Sequence, residues 1–196
     1  MYKVENIINE DNRKQLISVY NSLRSELAHQ DYNLFDVDKR HPTKEQVELD
    51  CFKAIDQYAS NHEKTFRHYF LDYTEESFTK FHTDNDDAVG LTIVTFLDKS
   101  EDLIGGQALA MLPYVKRSRP ANKYRKGDAP INDRCIPIVI DMEVGQSLVY
   151  DKQLMHGVGQ VQQGNRLVLI SWYLSLIHIS EPTRQAEISY AVFCLK

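Results

Sequence analysis

Two histidines and one aspartate are the residues of this chain best suited to binding a metal ion. His82 and Asp84 are separated by one residue in the segment FHTDND, and alternate side chains of an extended chain point to the same face. A second histidine, His156, lies far downstream in the segment LMHGVGQV. Two imidazoles and one carboxylate suit Fe(II) and leave coordination positions open for a chelating co-substrate and oxygen. The sequence therefore predicts a catalytic metal site at these three residues.

A calcium site is an alternative interpretation of the acidic residues in the same segment. Asp84, Asp86 and Asp87 form a short acidic cluster, and carboxylate oxygens are the ligands that Ca²⁺ prefers. The cluster lacks the glycine and the distal glutamate of an EF-hand loop. A solvated acidic turn explains it better than a calcium site.

An arginine after the second histidine makes the metal pattern more specific. Gly164 and Asn165 form a predicted turn, and Arg166 begins the apolar segment RLVLISWY ten positions after His156. In this arrangement the chain resembles the prolyl 4-hydroxylase-like branch of the iron(II)- and 2-oxoglutarate-dependent dioxygenases. That family has H-x-D on an early strand, a distal histidine on a late strand, and a basic residue shortly after it. The resemblance covers roughly residues 65–173.

The resemblance implies a fold, a reaction and a set of ligands. The implied fold is mostly β with N-terminal helices (α+β), a double-stranded β-helix of the jelly-roll, cupin-like type. The implied enzyme is a 2-oxoglutarate-dependent dioxygenase that hydroxylates a C–H bond of a protein side chain or small molecule and releases succinate and CO2. His82, Asp84 and His156 would hold Fe(2+), and Arg166 would bind the C5 carboxylate of 2-oxoglutarate through its planar guanidinium. The expected partners are 2-oxoglutarate, O2 and a prime substrate, with ascorbate as an accessory cofactor.

The family pattern also draws attention to a tyrosine. Tyr73 lies nine residues before His82, near where the pattern places a tyrosine in the co-substrate pocket, and its hydroxyl is expected to help bind a carboxylate. A core tyrosine is an equally good interpretation. The sequence departs from the pattern at Thr79, where tyrosine is common, and at Phe96, where a phenol is common. Burial alone explains Phe96 and Trp172, which receive no role.

Two other functions stay open on the same residues. A cupin-type metal-binding protein would use this scaffold without 2-oxoglutarate, although such proteins typically have more histidines in their metal set and lack the trailing arginine. A catalytically silent jelly-roll binding module would keep the fold without oxygen chemistry. The complete pattern of His82, Asp84, His156 and Arg166 favours the dioxygenase over both.

Two amphipathic helices are predicted before the β-rich part of the chain. Asp11 is expected to begin the first helix, and its apolar face has residues at three- and four-residue intervals: Leu16, Val19, Tyr20, Leu23 and Leu27. The second is expected to begin at Thr43, which forms a capping box with Gln46. Its predicted buried stripe is Val47, Cys51, Ala54, Ile55 and Tyr58. We expect both helices to cover one side of a sheet.

Beyond residue 65 the sequence changes to short segments rich in Val, Ile, Phe, Thr and Tyr, separated by Gly, Asn, Asp and Pro. This composition is typical of strands and turns. Strands are predicted at 65–72, 77–83, 90–98, 105–114, 135–142, 146–151, 155–161 and 165–173. Their number fits a jelly roll. We therefore predict one domain over residues 1–173, with a helical part at 1–64 and a jelly-roll core at 65–173.

Two segments stand apart from this core. Residues 115–134 form a long irregular connection rich in lysine and arginine, and connections of this length are usually functional or disordered. The segment is a candidate lid over an anionic substrate, with a solvated loop as the alternative. Residues 174–196 resemble the translation of a sequencing adaptor, and we exclude them from the predicted domain as non-native sequence.

Composition excludes several classes of function. The chain has 196 residues and a formal charge of −5, so no overall positive field would attract nucleic acid or an anionic membrane. It has no apolar segment long enough to span a bilayer and no secretory signal. Its three cysteines share no metal-ligand spacing and are expected to be reduced thiols. The sequence therefore predicts a soluble cytoplasmic protein.

Overall fold

The computed structural model describes residues 2–23, 26–27, 35–59, 63–84, 89–113 and 135–175. The predicted basic loop at 115–134 lies outside these residues, as do Asp86, Asp87 and the tail residues 176–196.

Both predicted helices are present, and the first differs from its prediction at both ends: Leu23 and Leu27 of its predicted apolar face lie beyond its last residue. Helix α1 spans Glu10–Ser22. It is capped by Asn9 and not by Asp11, because the side-chain oxygen of Asn9 accepts a hydrogen bond of 2.8 Å from the backbone N–H of Asn12. Asp11 instead places a negative charge in the first turn, where the helix dipole favours it.

The predicted capping box forms at the second helical segment. The backbone N–H of Thr43 donates to Oε1 of Gln46 at 2.8 Å, and the backbone N–H of Gln46 donates to Oγ1 of Thr43 at 3.3 Å. Gln46 begins a short 3-10 helix at Gln46–Glu48, after which α2 spans Asp50–Ala59. The α-helix thus begins seven residues after the predicted Thr43, and Tyr58 of its predicted buried stripe is 37% exposed. Within the described residues, no helix has the length and apolar character that crossing a membrane requires.

The described residues form fourteen strands. They are β1 (Tyr2–Glu5), β2 (Glu26–Leu27), β3 (Phe35–Asp36), β4 (Asp38–Arg40), β5 (Glu63–Tyr73), β6 (Phe78–His82), β7 (Val89–Lys99), β8 (Ile104–Gly105), β9 (Ala108–Pro113), β10 (Cys135–Ile140), β11 (Ser147–Asp151), β12 (Met155–Val158), β13 (Val161–Gln163) and β14 (Arg166–Ser175). The eight predicted strands correspond to β5, β6, β7, β9, β10, β11, β12 and β14. The N-terminal part predicted as helical also contains the short strands β1 to β4. Strand β14 ends at Ser175, two residues beyond the predicted end of the domain.

The strands form two antiparallel sheets that pack face to face. The major sheet has the order β1-β11-β7-β14-β5-β4-β2, the minor sheet has the order β10-β9-β12-β6-β3, and β13 pairs with β8 in a separate ribbon. Ala110 and Ile140 of the minor sheet share an apolar cluster with Leu148 and Tyr150 of the major sheet. The described residues are therefore mostly β with two α-helices, as the sequence predicted.

Alternation along the central strands separates two apolar layers. On β5, Phe70 packs outward against Phe52 and Ile55 of α2, and all three side chains have no exposed surface. The neighbouring residues Tyr69 and Leu71 point inward to the space between the sheets. The helices thus close the outer face of the major sheet, and the inner face lines a cavity.

Candidate metal centre and anion pocket

A β-bulge sets the direction of the first histidine. Strand β6 pairs with β12 so that His82 lies opposite His156 and Thr79 lies opposite Val158, which means that β6 has one more residue than its partner over this stretch. In a regular strand Thr79 and His82 would point to opposite faces, because they are three positions apart. The bulge brings both side chains to the same cavity.

The close pairing at the bulge depends on a glycine. A Cβ atom on Gly157 would lie 2.7 Å from the carbonyl oxygen of Thr79, closer than real Cβ contacts allow. Because Gly157 directly follows His156, the absence of a side chain allows β12 to hold His156 against His82. Their ring centroids are 4.4 Å apart.

The three predicted metal ligands lie together at one end of the cavity. The ligand atoms of His82, Asp84 and His156 are all within 4.8 Å of one another. Oδ1 of Asp84 lies 3.8 Å from Nε2 of each histidine. Two atoms that each bind one ion at about 2.1 Å are at most about 4 Å apart, so Asp84 can share an ion with either histidine in these positions.

Backbone acceptors fix the tautomer of both imidazoles. Nδ1 of His82 lies 2.9 Å from the carbonyl oxygen of Lys80, and Nδ1 of His156 lies 2.9 Å from that of Leu154. A carbonyl oxygen only accepts, so each Nδ1 carries the proton and donates it. The Nε2 lone pairs then face Asp84 and are available to a metal ion, which is the usual arrangement of metal-binding histidines.

Two side chains of the major sheet complete the hydrogen bonds of this cluster. Oγ1 of Thr92 donates to Oδ2 of the buried Asp84 at 2.6 Å, so that Oδ1 is the oxygen available to a metal ion shared with the histidines. The hydroxyl of Tyr150 donates to Nε2 of His156 at 2.9 Å, and a metal ion bound to Nε2 would replace this hydrogen bond, because that nitrogen has one lone pair. Burial, followed by the neighbouring His82, lowers the pKa of His156, which favours the neutral imidazole that a metal ion binds.

Arg166 is a buried cation without an acidic partner among the described residues. Its residue surface is 3% exposed, and its Nη1 donates to the carbonyl oxygen of Gly106 at 2.8 Å. The guanidinium carbon lies 4.8 Å from the centroid of the Phe96 ring. Burial lowers the pKa of Arg166, but arginine starts so far above neutrality that it stays charged. Because an uncompensated buried charge is costly, an anionic ligand would stabilise this position.

Tyr73 lies beside Arg166 and is buried with it. The two residues are paired across β5 and β14, and the guanidinium carbon is 5.9 Å from the centroid of the tyrosine ring. The hydroxyl of Tyr73 lies 2.9 Å from Oγ1 of Thr79. Thr79, the departure from the family pattern, is therefore the hydrogen-bond partner of the predicted pocket tyrosine.

One cavity of about 410 Å³ contains both the predicted metal ligands and the pair of Tyr73 and Arg166. Its volume falls within the range of about 300–1,000 Å³ that is usual for small-molecule sites. It is lined by all five residues that the sequence singled out: Tyr73, His82, Asp84, His156 and Arg166. The structure thus brings these residues together, and their roles toward a ligand stay predictions.

Sequence reasoning missed several residues of this site. Thr92 and Tyr150 are inward-facing residues of β7 and β11 that hold the metal-ligand cluster, and alternation along the strands is the signal that could have identified them. Trp172 lines the cavity and Phe96 packs under Arg166, although neither was given a role. Lys39 also lines the cavity, but its strand has only three residues, which are too few to show the alternation that would predict an inward-facing side chain.

Known proteins resemble this chain in structure but not in sequence: no family model and no curated protein sequence matches it. A prolyl-4-hydroxylase from Pseudomonas putida matches with a TM-score of 0.58 and 15% identity, over 89% of this chain and 92% of that chain. The viral collagen prolyl hydroxylase of Paramecium Bursaria Chlorella virus-1, solved as a 2-oxoglutarate complex, matches with a TM-score of 0.60 and 13% identity, over 89% and 96%. HygX from Streptomyces hygroscopicus, solved with nickel, 2-oxoglutarate and hygromycin B, matches with a TM-score of 0.57 and 14% identity, over 89% and 83%.

At these identities the likeness is one of fold. It confirms, at that level, the predicted resemblance to the prolyl 4-hydroxylase-like dioxygenases.

Proposed function

We propose that this chain is an Fe(II)- and 2-oxoglutarate-dependent dioxygenase, an oxidoreductase that hydroxylates a C–H bond of a protein side chain or small molecule and releases succinate and CO2. The observation that supports it most is the presence, in one cavity, of a cluster of two histidines and one aspartate together with the buried Arg166. In this proposal the two sheets form the double-stranded β-helix of that enzyme class.

The donor set fits the metal that this function requires. His82, Asp84 and His156 would hold Fe(II) through two neutral imidazoles and one carboxylate, which leaves positions for 2-oxoglutarate and O2. The bound metal supplies the oxidative chemistry, in which 2-oxoglutarate is decarboxylated and the substrate C–H bond is hydroxylated. The protein keeps the ligands in place through Thr92 on Asp84 and through the backbone acceptors of the two histidines.

Arg166 has the donors that the distal carboxylate of 2-oxoglutarate needs. A guanidinium has five N–H donors, and the hydrogen bond to Gly106 uses only one nitrogen, Nη1. The other nitrogens would pair with the C5 carboxylate, and the hydroxyl of Tyr73 would add a further hydrogen bond. Leu71 and Val168 also line the cavity, and such apolar walls would exclude water from the reacting centre.

The direct test is succinate formation by the full chain with Fe(II), 2-oxoglutarate, O2 and ascorbate. We expect the wild-type protein to form succinate and His82→Ala to form none, because it lacks one metal ligand. Arg166→Ala should raise the KM for 2-oxoglutarate by about 100-fold or more, since breaking a buried charge pair costs about 3–5 kcal/mol. Arg166→Lys keeps the charge without the fork geometry and should raise the KM less, which separates a co-substrate role from simple misfolding.

Two outcomes would contradict the proposal. A folded protein that binds Fe(II), but neither binds 2-oxoglutarate nor forms succinate, would be a cupin-type metal-binding protein. A folded protein that binds neither Fe(II) nor 2-oxoglutarate would be a catalytically silent binding module. Circular dichroism of each variant checks that the loss of activity is not a loss of fold.

A further inference from the structure

A second cation lies in the same cavity, away from Arg166. Lys39 on β4 lies opposite Leu71 of β5, and Arg166 on β14 lies opposite Tyr73 of the same strand. Because β4 and β14 flank β5 on its two sides, the usual strand spacing and rise place the two backbones about 12 Å apart. Lys39 and Arg166 therefore enter the cavity from different strands and at different positions along β5.

The side chain of Lys39 extends toward the metal-ligand end of the cavity. Its Nζ lies 4.1 Å from the centroid of the Tyr69 ring, and Tyr69 is separated from Tyr73 by about 13 Å of extended strand. Tyr69 in turn meets Trp172 edge to face, with ring centroids 5.6 Å apart. We call Lys39, Tyr69 and Trp172 the Lys39 subsite.

The Lys39 subsite adjoins the predicted metal ligands. Trp172 lies opposite Thr92 across β14 and β7, and the hydroxyl of Thr92 donates to Asp84 at 2.6 Å. The carboxylate of Asp84 is also one of the charges that raise the pKa of the buried Tyr69 phenol, after burial itself. A molecule that contacts Tyr69 and Trp172 therefore lies next to the metal ligands.

Lys39 has no carboxylate within ion-pair distance in the part of the chain that the structure describes. It is half-buried, and burial, followed by the nearby positive charge of Arg67, lowers its pKa. The face of the Tyr69 ring makes a cation–π contact with the ammonium but provides no oxygen atom as a hydrogen-bond acceptor. The N–H donors of Lys39 therefore stay available to oxygen atoms of a ligand. A half-buried ammonium with no carboxylate partner among the described residues is a position that a bound anion would stabilise.

We propose that the Lys39 subsite binds an anionic group of the prime substrate, a carboxylate or a phosphate, next to an aromatic or apolar moiety that packs on Tyr69 and Trp172. This inference rests on the proposed function, in which Arg166 is occupied by 2-oxoglutarate. The substrate is then an acidic molecule whose reacting C–H bond lies between the anion and the metal ligands. The test must therefore measure anion binding at Lys39 without depending on the dioxygenase reaction.

Trp172 provides that reading, because it is the only tryptophan in the chain. We would titrate the full chain with phenylacetate, phenyl phosphate and the neutral phenylacetamide, in the presence of Mn(II) and saturating 2-oxoglutarate, and follow tryptophan fluorescence. A saturable response is expected to at least one anion, with the neutral amide binding at least tenfold more weakly. The preferred anion distinguishes a carboxylate substrate from a phosphate substrate.

Variants locate the bound anion. Lys39→Gln should weaken anion binding at least tenfold, and Lys39→Arg should retain most of it. Lys53→Gln changes an exposed lysine of α2 and should leave the titration unchanged. Lys39→Met keeps the apolar stem and replaces the glutamine variant if that variant does not fold.

Three results would overturn the inference. They are a wild-type protein with no saturable response to either anion, a Lys39→Gln protein that binds both anions as the wild type does, and equal binding of amide and acid. Repeating the titration without Mn(II) and 2-oxoglutarate, and with Arg166→Gln, separates this inference from the proposed function. If the dioxygenase proposal alone is wrong, 2-oxoglutarate binding and succinate formation are absent but the response that depends on Lys39 persists.

Discussion

Thr92 and Thr95 are two threonines of β7 with no exposed surface that face opposite sides of the major sheet. The hydroxyl of Thr92 donates to Oδ2 of Asp84, whereas the hydroxyl of Thr95 lies 2.9 Å from Oγ of Ser147. The same substitution at the two positions removes a buried hydrogen bond in each case. Only one of those bonds orients a proposed metal ligand.

We expect Thr92→Val to weaken Mn(II) binding by about 10–100-fold, the usual effect of losing a hydrogen-bond partner of a metal ligand. Thr95→Val should bind Mn(II) as tightly as the wild type. Both variants should lose about 1–3 kcal/mol of unfolding free energy, because each leaves a buried oxygen with one partner fewer. Calorimetric titration and urea denaturation measure the two effects. Equal metal affinities in the two variants would contradict the assignment of Asp84.

A serine, a histidine and an aspartate also meet on the other face of the sheet, where burial excludes a catalytic role. Nδ1 of His68 lies 2.9 Å from Oγ of Ser171, and its Nε2 lies 3.3 Å from Oδ1 of Asp56. The hydroxyl of Tyr173 donates to the same Asp56 oxygen at 2.9 Å. Ser171 has no exposed surface, so no substrate reaches it. These contacts instead attach α2 to β5 and β14.

Element boundaries could be predicted from the sequence where strands are long enough to show a pattern. The long apolar segments of β7 and β14, bounded by glycine and polar residues, were located correctly. Strands β1 to β4 were missed, because segments of two to four residues are too short to show alternation. They join the sheets through backbone pairing with distant strands, such as β1 with β11, and a single sequence does not show such pairing.

The same limit applies to the site. Alternation predicted that His82 and Asp84 share one face, and their ligand atoms do lie within 4.8 Å of each other, although Asp84 lies beyond the end of β6. It could not place Thr79 on that face, since the bulge in β6 is a property of the pairing with β12. Lys39 could not be predicted as a cavity residue either, because its short strand exists only through backbone pairing with β5, and the sequence does not show that pairing.

Two glycines of the segment after His156 test the importance of the bulge. A Cβ on Gly157 would meet the backbone oxygen of Thr79 at 2.7 Å, whereas a Cβ on Gly159 would meet the flexible side-chain end of Gln107 at 3.3 Å. We expect Gly157→Ala to cost about 1–3 kcal/mol of unfolding free energy, as overpacking does, and to weaken Mn(II) binding by separating the two histidines. Gly159→Ala should change both quantities much less. Denaturant unfolding and metal titration of the pair provide the comparison, and equal behaviour would show that the close approach is not required.

At the scale of the molecule, the predicted metal ligands connect the two sheets. His82 and His156 lie on strands of the minor sheet, and Asp84 lies two residues after the end of β6. The side chains that hydrogen-bond to Asp84 and His156 are Thr92 and Tyr150, which belong to the major sheet. The cavity therefore depends on the relative position of the sheets, and α1 and α2 stabilise one of them from outside.

We propose that the native domain corresponds to residues 1–173 and that most of the following segment contributes nothing to it. Leu174 and Ser175, however, continue β14 and pair with Lys64 and Glu63 of β5. We expect a chain ending at Ser175 to unfold at the same temperature as the full chain and to form succinate at the same rate. A chain ending at Tyr173 should lose about 1–3 kcal/mol, because a few backbone hydrogen bonds at about 0.5–1.5 kcal/mol each are removed. Thermal unfolding of the three chains measures this, and a large loss on ending the chain at Ser175 would give the tail a structural role.

Because of the extra residue in β6, the number of residues between two positions of this strand does not tell whether their side chains point to the same face. The bulge shifts the residues before it by one position relative to those after it. Because of this shift, Thr79 and His82 face the same cavity although they are three residues apart. In a sequence alignment, a relative without that residue would therefore require a gap between Thr79 and His82. Identities upstream of the gap would be lost if the alignment were anchored only on the H-x-D motif. Comparison of Tyr73 with its counterparts should accordingly be based on strand pairing and not on its distance from His82.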